Sequence, residues 1–169
     1  MKIIIVYIIV CFTLFSHAAA TNDTPDAVVV KVFDKPMPHE TEKKERELFL
    51  WSIFTNKSEM EQFDSYGVSK WKENFSLFAK SLVQMAEKMK LDSASLSQAL
   101  DLVLKDSKDE IAYLPIAAYQ TTLDGMPIWI IPVKWEYPSF VDKDGVLSHI
   151  RVFAFDQKTL KQVAFVTCN

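Results

Sequence analysis

The chain has 169 residues, with 19 Lys and Arg against 22 Asp and Glu, 49% hydrophobic residues and 12% aromatics. Three glycines, Gly67, Gly125 and Gly145, are too few and too scattered for a phosphate-cradling loop, which needs several close together for backbone approach. Two cysteines exclude a disulfide-rich scaffold and a four-cysteine zinc site, and a net charge of −3 leaves no basic footprint for nucleic acid.

Met1–Ala20 reads as a secretory signal peptide. Lys2 supplies the positive start, Ile3–Phe15 is the apolar stretch, and Ala18-Ala19-Ala20 fits the small-x-small rule for cleavage before Thr21. The competing reading is a membrane anchor. Thirteen helical residues reach only about 20 Å, against roughly 30 Å of hydrocarbon. Export to the periplasm or the medium, with no stable membrane anchor after cleavage near Ala20, is therefore the expectation. Cleavage would leave 149 residues, 18 basic against 22 acidic, with Cys168 as the one cysteine. A lone cysteine makes no internal disulfide, so stability must come from packing.

Residues 21–47 read as an extended, charged N-terminal segment, and 48–169 as a single α+β domain with helices within 48–105 and a sheet within 111–168. Inside the segment, Ala27–Phe33 is rich in β-branched residues and could form a strand. Asp34–Glu47 is charged, carries Pro36 and Pro38, and turns helical near Glu42. His39 lies here as an isolated, solvated histidine. Leu48–Phe54 is almost wholly apolar and continues that helix, either buried or as an exposed face for a partner.

Ser69–Met89 is the clearest helix. Trp71, Phe75, Phe78, Leu82, Met85 and Met89 recur at spacings of three and four, which places them on one face. That stripe suits packing on a sheet, a dimer seam or a ligand groove. Met85 and Met89 could ligate a soft metal, but with no His or Cys beside them they suit core filling better. Asp92–Lys105 is a further helix, capped either by Asp92 or by a Ser95-to-Gln98 capping box.

From Ile111 the pattern changes to strands. Ile111–Thr122 and Met126–Tyr137 flank Asp124-Gly125, a strong hairpin signal because both turn residues tolerate positive φ. Trp129, Ile131, Val133, Trp135 and Tyr137 alternate onto one face, and Pro132 suggests an edge position or a bulge. His149–Phe155 and Leu160–Cys168 are the third and fourth strands, joined by the Asp156–Thr159 turn. The expected fold is α+β, with N-terminal helices on one face of a four-stranded antiparallel sheet, an arrangement that tolerates an open second face.

The C-terminal half resembles PepSY-like exported domains and, more loosely, the cystatin-like roll. The resemblance rests on a helix over Ser95–Lys105, then Asp124-Gly125-x-Pro127-x-Trp129-x-Ile131-x-Val133, the strand His149–Phe155 and the turn Asp156-x-Lys158-Thr159. Leu160 stands where such domains usually carry a glycine after the Thr. The resemblance covers about 75 residues and implies an exported domain that binds proteins or restrains proteases. No Gln-x-Val-x-Gly stretch is present, so the cystatin inhibitory wedge is missing as a motif.

Few residues suit catalysis. There is no Gly-x-Ser-x-Gly elbow, and Cys168 is the penultimate residue. Asp142 and Asp144, like Asp106 and Asp109, resemble paired carboxylates, but Asp142-Lys143-Asp144-Gly145 lacks the later ligands of a calcium loop. The sequons at Asn22, Asn56 and Asn74 matter only in a glycosylating host. No cofactor or metal is expected. The candidate binding face is Trp129, Trp135, His149 and Arg151, where two cationic groups over aromatics could hold a carboxylate. The leading expectation is a non-enzymatic protein that binds another protein or peptide. The alternatives are an enzyme or small-ligand carrier with a pocket between helices and sheet, and a structural subunit that pairs along Trp71–Met89.

Overall fold

The computed structural model describes residues 28–39, 42–53, 63, 66–108, 110–139 and 145–168. The signal peptide and its cleavage site, Asn22, Asn56, Asp109, Asp142 and Asp144 lie outside the described residues.

Strand β1 (Val29–Val32) comes first, then helix α1 (Lys43–Ser52). A 3-10 turn over Val68–Lys70 leads into α2 (Trp71–Lys88) and then α3 (Ser93–Asp106). Five strands follow: β2 (Ala112–Pro115), β3 (Ala117–Leu123), β4 (Met126–Glu136), β5 (His149–Asp156) and β6 (Gln162–Cys168).

The sheet runs β1-β3-β4-β5-β6, with β2 also paired to β4. It is an α+β arrangement and mostly antiparallel, but it has six strands rather than four. The first added strand is β1, which lies parallel to β3 from Val29 opposite Ala117 to Val32 opposite Gln120. The second arises because the expected strand at 111–122 is split. Pro115 lies opposite Val133 and Tyr119 opposite Ile130, so one extra residue is accommodated between β2 and β3.

That bulge explains Pro132, which sits within the central strand and not at an edge. The Pro132 carbonyl accepts from the Ile116 N–H at 3.1 Å. In a strand, a residue's N and C=O point to the same side, so the donor that proline lacks falls opposite the bulge. On its other side β4 pairs without interruption with β5, from Ile128 opposite Asp156 to Trp135 opposite His149. The β3–β4 hairpin forms at Asp124-Gly125, whose φ angles of 52° and 78° are both positive, as its two-residue turn requires.

Helices cover both faces of the sheet, not one. The α2 stripe of Trp71, Phe75, Phe78 and Leu82 packs with Leu96, Leu100 and Val103 of α3 against Val30, Ala118, Trp129, Ile131, Val133 and Phe153. Each such side chain contributes roughly 1.5–3 kcal/mol by leaving water. The stripe is therefore used inside the fold, and its end, Met89, is 44% exposed. On the opposite face, whose cover the sequence does not decide, Phe49 and Leu50 of α1 pack with Met37, Tyr119, Ile128, Ile130, Val152 and Val166. The 33–37 stretch is tied to the rim of β3, with Phe33 N–H donating to Gln120 O and Met37 N–H to Thr122 O, each at 2.8 Å. His39 is not isolated: its Nε2 lies 3.3 Å from Asp124 Oδ2.

At the start of α3 the N-cap is Asp92, whose carboxylate accepts from the Ser95 N–H at 3.0 Å. The Ser95 hydroxyl donates back to the Asp92 carbonyl at 3.0 Å, which leaves its oxygen to accept another contact described below. Among the described residues no helix is long and apolar enough to cross a membrane.

Candidate functional site

Trp129, Trp135, His149 and Arg151 all project from the α2/α3 side of the sheet, because Trp135 lies opposite His149 and Val133 opposite Arg151 in register. They do not form one site. Six residue steps separate the two tryptophans, about 20 Å along β4. Trp129 is fully buried beneath the start of α3, and its indole N–H donates to Ser95 Oγ at 2.8 Å.

Trp135, His149 and Arg151 come together at the other end of β4. The Arg151 guanidinium carbon lies 3.9 Å from the centroid of the Trp135 ring, which contributes roughly 1–2 kcal/mol for a cation set this deeply. Tyr113 and Phe165 rings stand further out, at 5.5 and 5.9 Å from the same carbon. The guanidinium thus sits among three aromatic rings contributed by β2, β4 and β6.

Its polar contacts run in one direction. Arg151 Nη1 donates to the Tyr113 hydroxyl, and that hydroxyl donates to Asp106 Oδ2 at 2.7 Å. Burial, followed by the bond to Asp106, pushes the Tyr113 hydroxyl well above the ordinary tyrosine range, so it remains a donor across physiological pH. Asp106, at the end of α3, is 48% exposed and lies 4.0 Å from Arg151 Nη1. Its pairing with the arginine is loose and reached mainly through Tyr113.

Three buried side-chain donors among the described residues lack a partner: Trp135 Nε1, Arg151 Nε and Gln157 Nε2. Two of the three belong to this one stack. A buried donor left unsatisfied costs about 1–3 kcal/mol, so a fold that keeps two in contact leaves a local deficit which an acceptor would relieve.

His149 borders the stack, its ring 5.0 Å from that of Trp135 and its Nε2 3.4 Å from Glu136 Oε2. Glu136 also accepts from the Ser148 hydroxyl at 2.7 Å and from the Tyr137 N–H at 3.0 Å. Here serine and histidine both address the carboxylate. A nucleophilic relay instead needs the imidazole between hydroxyl and carboxylate.

Sequence reasoning found His149 and Arg151 by strand alternation. It missed Tyr113 and treated Asp106 only as half of a carboxylate pair. The i, i+7 spacing from Asp106 to Tyr113 spans the end of a helix and the start of a strand, where no single periodicity applies.

The outer edge of β6 adjoins this end of the sheet, and among the described residues no strand pairs with it. Its sequence, Gln162–Cys168, has no proline and no charge. Phe165 is 42% exposed and its ring lies 5.1 Å from that of Phe153. Arg46 of α1 donates to the Val163 carbonyl at 3.2 Å, beside the register shift between β5 and β6, and so occupies the first part of the edge.

No family model matches the chain, and no curated protein or solved structure shows significant similarity to it.

Proposed function

We propose that the protein is an exported, non-enzymatic domain that binds another protein or peptide, taking an extended segment of its partner as an added strand on β6. The observation that carries this reading is the contrast between the two sheet edges. β1 is four residues long, carries Lys31 and is soon followed by Pro36 and Pro38, all features that discourage pairing. β6 is seven residues long and has none of these past the Arg46 contact. An unblunted edge supplies main-chain hydrogen bonds to an incoming strand, and exposed Phe165 supplies a side-chain contact.

The Asp156–Thr159 turn supports the resemblance to PepSY-like domains as part of the same proposal. Asp156 Oδ1 accepts from Lys158 N–H at 3.0 Å, Thr159 N–H at 2.6 Å and the Thr159 hydroxyl at 2.8 Å. Leu160 adopts φ +56°, the left-handed conformation that favours the glycine expected there.

The test is capture from the exported fraction with the wild-type chain and with Phe165→Lys, followed by hydrogen exchange on the captured complex. The expected result is a partner lost with Phe165→Lys, and new protection confined to amides of β6. A partner indifferent to that substitution, or protection that spares β6, would overturn the edge reading.

A further inference from the structure

We propose that the segment taken up on β6 is acidic: an extended partner strand that lays an apolar side chain on Phe165 and sets a neighbouring carboxylate against Arg46 and Lys161. The proposal rests on the β6 reading above and adds the chemistry of the partner.

Arg46 is turned toward this edge. Glu42, the N-cap of α1, lies four residues before it, the spacing at which a helix forms an intrahelical ion pair. Lys43 and Glu47, at the same spacing, do form one at 3.9 Å. Arg46 instead reaches across to β6 and uses one N–H on the Val163 carbonyl. A guanidinium carries five such donors, and this one is only half-buried, so its charge and most of its donors stay available. Lys161, the residue just before β6, is exposed. Among the described residues neither cation forms an ion pair. The start of this edge therefore carries two uncompensated cations, in a chain whose net charge is −3.

The two faces of the edge call for different side chains. Phe165 lies opposite Phe153 on the α2/α3 side and is exposed. Val163 packs with the α1-side core, so Arg46 meets the edge from the other face. Consecutive side chains of an added strand point to opposite faces. An apolar residue over Phe165 thus places its neighbour on the α1 side, beside the guanidinium. A carboxylate suits that place, because it matches both the guanidinium fork and its charge. A second copy of β6 does not, because Gln162–Cys168 holds no acid.

Three peptides, acetylated and amidated at their ends, are titrated into the full chain while the β6 amides are followed by NMR. The first is Val-Thr-Glu-Phe-Glu-Thr-Val, which flanks its Phe with acids and so presents the pattern in either strand direction. The second carries Gln for both Glu. The third, Val-Glu-Thr-Phe-Thr-Glu-Val, has the same composition and charge but puts the acids on the face of its Phe. Saturable shifts of the β6 amides are expected with the first, with a dissociation constant on the order of 1 mM for so short a ligand. The second and third should bind about 5-fold more weakly. Arg46→Gln combined with Lys161→Gln keeps a donor for the Val163 carbonyl and removes both charges, so the preference should shrink to within about 2-fold.

Equal binding of the first and second peptides would overturn the acidic partner and leave the β6 reading standing. Equal binding of the first and third, or a preference that survives the double variant, would overturn the placement of the carboxylate beside Arg46. Shifts of the β6 amides on simple dilution, with no peptide present, would assign the edge to a second copy instead. No shift with any peptide, in wild type or variant, would overturn both the proposal and the strand-addition reading beneath it.

Discussion

Trp129 and Trp135 lie on the same face of the same strand, yet the two ends of β4 treat them in opposite ways. At the Trp129 end the indole N–H is bonded to Ser95, α3 lies on top, and the nearby Asp156 Oδ1 accepts three hydrogen bonds from its own turn, with Gln157 Nε2 the one unpartnered donor described there. At the Trp135 end the indole N–H is unpartnered, Arg151 with its own unpartnered Nε lies over the ring, and the nearby acid Asp106 is half exposed. Both residues are buried, so burial alone does not distinguish them. Polar satisfaction of the indole does: the Trp129 N–H has an acceptor and the Trp135 N–H has none.

Three substitutions at the structural end would sharpen that contrast. The largest effect is expected from Asp156→Ala, which removes an acceptor of three hydrogen bonds and should cost about 2–4 kcal/mol in denaturant unfolding at neutral pH. Hydrogen bonds to Thr159, ahead of other causes, hold the Asp156 carboxyl below its ordinary value of 3.8. Its contribution is therefore complete above that value and is lost as pH falls through the lower, folded-state value. Unfolding measured between neutral and strongly acid pH should accordingly show a flatter acid limb in Asp156→Ala than in the wild type.

Ser95→Ala comes next. It leaves the Trp129 indole N–H buried without a partner and should cost about 1–3 kcal/mol, measured as a lower urea midpoint with an unchanged slope. A cost near zero would mean that the Trp129 end is no more closed than the other. The smallest effect is a gain. Leu160→Gly relieves a left-handed backbone and should stabilise by about 0.5–1 kcal/mol, a rise of a few degrees in Tm.

Legibility in the sequence followed the range of the interactions. The α2 stripe could be read because five successive three- and four-residue spacings leave one helical face. The Asp124-Gly125 hairpin could be read because two adjacent residues determine it. Both sides of β4 were visible as alternation. The parallel docking of β1 on β3 was not visible, because its partner lies 88 residues away (Val29 to Ala117) and nothing local encodes the pairing. Placing α1 on the reverse face depended on the same unseen topology. Pro132 misled in an instructive way: proline in a central strand is tolerated here only because the facing strand bulges. At the candidate site, alternation put His149 and Arg151 on one face. The Asp106–Tyr113–Arg151 chain could not be read, since it joins a helix end to two strands. Nor does spacing indicate whether a buried indole has found an acceptor.

The most direct test of the contrast between the two ends is the pair Trp129→Phe and Trp135→Phe, each measured for unfolding free energy under identical conditions. Both substitutions shrink a buried side chain, but Trp129→Phe also gives up the bond to Ser95, whereas Trp135→Phe deletes a polar group that was already uncompensated. The account predicts that Trp129→Phe loses about 1–2 kcal/mol more than Trp135→Phe, since both lose packing but only the second relieves an uncompensated buried donor. Equal losses in the two variants would contradict it, since the two ends of β4 would then be equally closed.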